Sequence, residues 1–207
     1  MSQQPSPTFA TAGAPLAAAN LAVVMVHGRG ATAGDILALA DDINLDQVHY
    51  VAPQAPGNTW YPYRFIEPVA KNEPFLSASL MQVGNIIAQL QISGLKPEQI
   101  MLLGFSQGAC LALEYAARHA ARYRGVAALS GGLIGAQLNP GNYTGDFNGT
   151  PFFLGCSDRD MHIPLERVKA STALLGQLGA AVTERIYPGL GHTINADEIE
   201  HVRQMLS

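Results

Sequence analysis

The chain has 207 residues, enough for one ordinary domain with a sizeable buried core. Hydrophobic residues make up 48% and charged ones 14%, which excludes a disordered chain. A net charge of −4, with only 12 scattered Lys and Arg, argues against a nucleic-acid binder, and no apolar stretch approaches the roughly 20 residues that cross a bilayer.

The first 26 residues carry no Lys or Arg, and Pro5, Pro7 and Pro15 interrupt them, so they do not read as a signal peptide. Residues 1–8 are expected to form a flexible tail ahead of a single domain over 9–207. The run Leu21–Val26 reads as a strand, followed by the turn His27-Gly28-Arg29-Gly30. A short helix is expected over Asp35–Ile43 and a second strand over Val48–Ala52. From Pro53 to Pro74 the chain has five prolines and no clean period, and it holds Trp60, the only tryptophan, beside Tyr61, Tyr63 and Phe65. A loop that long either walls a binding pocket or packs its own aromatics.

Pro74–Ile92 predicts a helix, with Leu76, Leu80, Val83, Ile87 and Leu90 on one stripe. Strands follow at Ile100–Leu103, Val126–Leu129, Pro151–Gly155 and Val182–Tyr187. Helices follow at Gly108–Arg122, Leu165–Leu178 and Ala196–Met205. Continuous apolar runs alternating with helices predict an open, mostly parallel α/β sheet with helices on both faces. Cys110 and Cys156 lie in apolar segments and read as reduced, buried thiols of a cytoplasmic protein.

The segment Gly104-Phe105-Ser106-Gln107-Gly108 sits between a predicted strand and a predicted helix. Gly-x-Ser-x-Gly in that setting is the nucleophile elbow of α/β-hydrolases. The turn brings strand and helix so close that side chains two residues either side of the serine would clash, and it lifts Ser106 Oγ to the carboxyl end of the strand. A serine hydroxyl needs a base to take its proton. Of six histidines, His192 lies in YPGLGHTIN between the last strand and the last helix, back at the carboxyl edge of the sheet. The orienting acid then falls between Ser106 and His192, and PFFLGCSDRDMHIP offers Asp158 and Asp160, which spacing cannot separate. Cys156, Asp158, Asp160 and His162 in the same string also admit a metal site. An oxyanion hole needs two N–H donors. The Gln107 N–H supplies one, and the His-Gly-Arg-Gly turn can supply the other from Arg29, whose guanidinium could also steer anionic substrates.

Together MVHGRGATAGD, GFSQGA, GCSDRDMHIP and YPGLGHTI resemble the bacterial phospholipase/carboxylesterase group of α/β-hydrolases, related to acyl-protein thioesterases. The resemblance runs from about Leu21 to the C-terminus. It implies an α/β-hydrolase fold without a large cap domain, since residues 131–149 are only a short glycine-rich excursion. It implies Asp160 as the acid, through the match of Asp160, Ile163 and Pro164 to the family's acid motif, although Met161 stands where many members have proline. It also implies oxyanion donors at Arg29 and Gln107, and an acyl pocket near Trp60, Tyr61, Tyr63 and Phe65. The expected activity is serine-dependent hydrolysis of carboxylic esters, thioesters or lysophospholipids with short to medium acyl groups, by way of an acyl-enzyme and with no cofactor. The chain could also pair as a homodimer, as relatives often do. Two other readings are a catalytically silent α/β-hydrolase-fold binding protein and a metal-dependent hydrolase.

Overall fold

A computed structural model describes residues 9–207, and the expected tail at 1–8 lies outside them. Its centre is a seven-stranded sheet. The strands are β1 (Phe9–Gly13), β2 (Leu21–Val26), β3 (Val48–Pro53), β4 (Ile100–Phe105), β5 (Gly125–Leu129), β6 (Pro151–Ser157) and β7 (Ala181–Tyr187). Their order is β1-β3-β2-β4-β5-β6-β7, with β1 antiparallel to β3 and every other neighbour parallel.

Among the described residues, seven α-helices connect and cover the strands: α1 (Ala33–Leu37), α2 (Leu39–Ile43), α3 (Val69–Asn72), α4 (Phe75–Ile92), α5 (Gln107–Arg118), α6 (Leu165–Gln177) and α7 (Ala196–Leu206). The period of two along a strand sends successive side chains to opposite faces. In β2, Val24 and Val26 therefore join the α4–α5–α6 layer, while Val23 and Met25 join the α1–α2–α7 layer. Both faces are covered, which is why the inner strands are apolar along most of their length, with His49 in β3 and Ser157 in β6 as exceptions.

Four elements differ from the sequence expectation, among them α3, a single turn inside the segment 53–74 that was expected to be loop. β1 is an added edge strand, paired with β3 from Phe9↔Pro53 to Gly13↔His49. The helix expected over 35–43 is two short helices that start earlier, because Thr32 and Asp35 form a capping box ahead of Ala33. The helix expected to reach Arg122 stops at Arg118. Tyr123 draws the chain away, its OH donating to His119 O and its N–H to Thr150 Oγ1.

The excursion 131–149 carries no α-helix. It is pulled down onto α5 and α6: Glu114 accepts from Ile134 N and Tyr143 OH, and Arg167 donates to Leu133 O and Gly135 O. Cys110 and Cys156 are free and buried, and burial pushes both thiols up to about 12. No helix among the described residues is long and apolar enough to cross a membrane.

Candidate active site

Ser106 joins β4 to α5 with φ 56° and ψ −118°, a left-handed conformation that a serine adopts only under constraint. The constraint is visible at the flanking glycines. A Cβ on Gly104 would overlap Gly108 O, and one on Gly108 would overlap Val26 O. The Ser106 N–H donates to Leu129 O at 3.0 Å, which ties the turn to β5.

Ser106 Oγ lies 2.8 Å from His192 Nε2, and His192 Nδ1 lies 2.7 Å from Asp160 Oδ2. That pairing fixes the tautomer: Nδ1 carries the proton toward the carboxylate, and Nε2 is left to accept from the serine. The Asp160 side chain is fully covered, and its Oδ1 accepts from the N–H groups of His162 at 2.8 Å and Ile163 at 3.0 Å. Burial works to raise the Asp160 pKa, but the bonds from His192, His162 and Ile163 outweigh it and hold the carboxyl below its ordinary value. Asp160 therefore stays ionised opposite His192.

Asp158, the other candidate, faces away and accepts from Gly189 N at 2.7 Å. Ser157 Oγ accepts from Gly191 N at 3.0 Å. These two residues at the end of β6 grip the glycine loop that presents His192, a role not singled out in the sequence. Past the loop, the Asn195–Glu198 capping box starts α7. Glu198 is fully buried, its Oε2 accepting from Asn195 N, its Oε1 without a partner among the described residues and packed against Gly155. Burial pushes its pKa up to about 7. Cys156, Asp158, Asp160 and His162 do not converge into a group that could hold a metal ion among the described residues.

His27 takes no part in this line of hydrogen bonds. It is fully buried, its Nδ1 lies 2.8 Å from Gly28 O and its Nε2 accepts from Ala55 N at 3.1 Å, while burial lowers its pKa. It organises the turn after β2. There Gly28 comes so close to the elbow that a Cβ on it would lie 3.5 Å from Ser106 Cβ. The N–H groups of Arg29 and Gln107 donate to no protein acceptor among the described residues, and both residues line one cavity with Ser106 and His192. The Gln107 N–H also stands in the first turn of α5, where orphan donors and the helix dipole favour negative charge.

That cavity has a volume of about 570 Å³. Tyr61, Tyr63 and Phe65 line it, with Phe105 and Ile163, which the sequence reading passed over. Phe105 is the variable residue just before the elbow serine, and its ring packs 5.0 Å from that of His192. Trp60 does not line the cavity. It is 1% exposed and sits behind the wall, with Nε1 donating to His27 O at 2.8 Å. The Arg29 guanidinium, expected as a guide for anions, instead donates to the carbonyls of Tyr61, Pro62 and Tyr63.

Residues 12–207 match the sequence model of the Phospholipase/Carboxylesterase family. Acyl-protein thioesterase 1 of Gibberella zeae is 28% identical, over 89% of this chain and 88% of that protein. Acyl-protein thioesterase 1 of Saccharomyces cerevisiae is 27% identical, over 89% and 90%. Among solved structures, a phospholipase/carboxylesterase from Dyadobacter fermentans superposes with a TM-score of 0.95 at 47% identity, covering 98% of this chain and 97% of that one.

Proposed function

The chain belongs to the Phospholipase/Carboxylesterase family, and from that footing we propose that it hydrolyses carboxylic esters or thioesters through an acyl-enzyme formed on Ser106. The observation that carries this reading is the continuous line Ser106 Oγ–His192–Asp160, each link at 2.7–2.8 Å. Ser106 Oγ attacks the acyl carbonyl while His192 Nε2 takes its proton. The imidazolium that results is stabilised by the ionised Asp160. The carbonyl oxygen, now negative, is held by the N–H groups of Arg29 and Gln107. Collapse of the tetrahedral intermediate breaks the bond to the alcohol or thiol, which departs with the proton from His192. Water then gives a proton to His192 and attacks the acyl-serine; the bond from Ser106 Oγ to the acyl carbon breaks as His192 returns that proton to Oγ, and the carboxylic acid leaves. The cycle asks for no cofactor.

A cavity of about 570 Å³ walled by Tyr61, Tyr63 and Phe65 suits acyl groups of short to medium length. Hydrolysis of p-nitrophenyl esters of increasing acyl length, compared between the wild type and Ser106→Ala, tests the proposal. Turnover that peaks at a short or medium chain and vanishes in Ser106→Ala is expected. Turnover that survives in Ser106→Ala would remove the serine from the mechanism. A wild type inert toward the whole series would favour the silent binding protein.

A further inference from the structure

Backbone donors need no particular side chain, yet the two residues whose N–H groups face the cavity beside Ser106 are an arginine and a glutamine, and both reach the same segment. The carbonyl of Tyr61 accepts from Arg29 Nη2 at 2.9 Å and from Gln107 Nε2 at 2.8 Å. Arg29 also donates to Pro62 O at 3.0 Å and Tyr63 O at 2.9 Å. Gln107 Oε1 accepts from Trp60 N at 3.1 Å. Every residue from 60 to 63 thus gives a main-chain group to one of these two side chains.

Resting on the hydrolase reading above, we propose that the side chains of Arg29 and Gln107 are positioning residues that join the cavity wall to the oxyanion donors through the Tyr61 carbonyl. The residue types fit the task. The 60–63 segment presents one N–H and three carbonyls: glutamine both donates and accepts, and the arginine fork supplies several donors in one plane. Gln107 is 6% exposed and held at both ends of its amide, so it has little freedom to tilt its own N–H. Arg29 follows β2 and Gln107 follows β4, neighbouring strands, and the two side chains meet at the Tyr61 carbonyl. A hydrogen bond weakens steeply with displacement and misalignment, so a wall that shifts drags both donors off the oxyanion position. The fit of the acyl chain against Tyr61 and Tyr63 accordingly acts on kcat, beyond any effect on KM.

The test uses Arg29→Met, Gln107→Met and the double variant in the full chain, with p-nitrophenyl acetate and butyrate as substrates. Each single variant is expected to lose on the order of tenfold in kcat with KM changed less than about twofold, short of the roughly 10²–10³-fold lost when a donor is removed outright. Because both act through one carbonyl, the double variant should lose less than the product of the singles. Arg29→Lys, which keeps one donor group, should recover part of kcat. Trp60, the only tryptophan, lies in the tied segment, so its emission should shift to the red in each Met variant. Wild-type kcat with unshifted emission, or losses that simply multiply, would overturn the proposal. The emission needs no turnover, so it reads this coupling even if every ester is refused and the hydrolase reading fails. Should the Met variants fail to fold, Gln107→Glu, which can accept from Trp60 N but not donate to Tyr61 O, replaces them.

Discussion

Glu198 is a buried acid beside the loop that presents His192, and replacing it with glutamine should make the protein more stable at alkaline pH. Burial is the largest cause of its raised pKa, the neighbouring Asp197 charge adds to it, and the bond from Asn195 N works in the other direction. The folded value is about 7 against an ordinary 4.5. Between those values the folded chain holds a proton that the unfolded chain has released, so stability falls as pH rises through that window and levels off above it. At about 1.36 kcal/mol for each pH unit between them, the full loss is roughly 3 kcal/mol. Glu198→Gln keeps the shape and an oxygen to accept from Asn195 N, but it has no proton to lose. Urea unfolding of both proteins at pH 4 and at pH 8.5 measures the difference. The variant's advantage should grow by about 3 kcal/mol from the lower pH to the higher, or roughly 6–12 °C in Tm for a chain of this size. An advantage equal at both pH values would show that the Glu198 pKa is the same in the folded and unfolded chain, and the argument from its burial would be wrong.

Asp160→Asn should lower kcat by up to about 10⁴-fold, because the amide favours the wrong tautomer of His192. Asp158→Asn, at a side chain that accepts from Gly189 N, should cost less than about tenfold, and p-nitrophenyl butyrate hydrolysis compares the two. Gly108→Ala drives a Cβ into Val26 O, a backbone atom that cannot rotate away. Thermal melts should show it destabilised by about 3 kcal/mol or more, whereas alanine at Gly176, where a Cβ meets nothing within 4 Å, should leave the melt unchanged or raise it.

The inner strands were legible in the sequence because helices cover both of their faces and leave few polar positions to blur the run. β1 was not: FATAG is an edge strand with alternating exposure and small residues, and it owes its place to the β3 ladder. The overlong reading of α5 has the same kind of cause. Residues 119–122 keep helical propensity, and what ends the helix is the bond of Tyr123 to Thr150, far along the chain. At the site, Ser106 and His192 were marked by glycines that the backbone geometry requires. Asp158 and Asp160 share one turn, and only the direction of each side chain separates them. The work of the Arg29 guanidinium was hidden altogether, since its acceptors lie 32 to 34 residues away and are carbonyls, which every residue has.

None of the residues lining the cavity comes from 131–149, the excursion that Glu114 and Arg167 hold down against the helices. On the proposed acyl-enzyme cycle, a cavity that takes no lining from this excursion would divide recognition unequally between the two products. The half bound to Ser106 would meet the aromatic walls of Tyr61, Tyr63 and Phe65, while the half that leaves would be released toward solvent. Discrimination would then reside chiefly in the acyl moiety, with the alcohol or thiol constrained less by the cavity than the acyl group is.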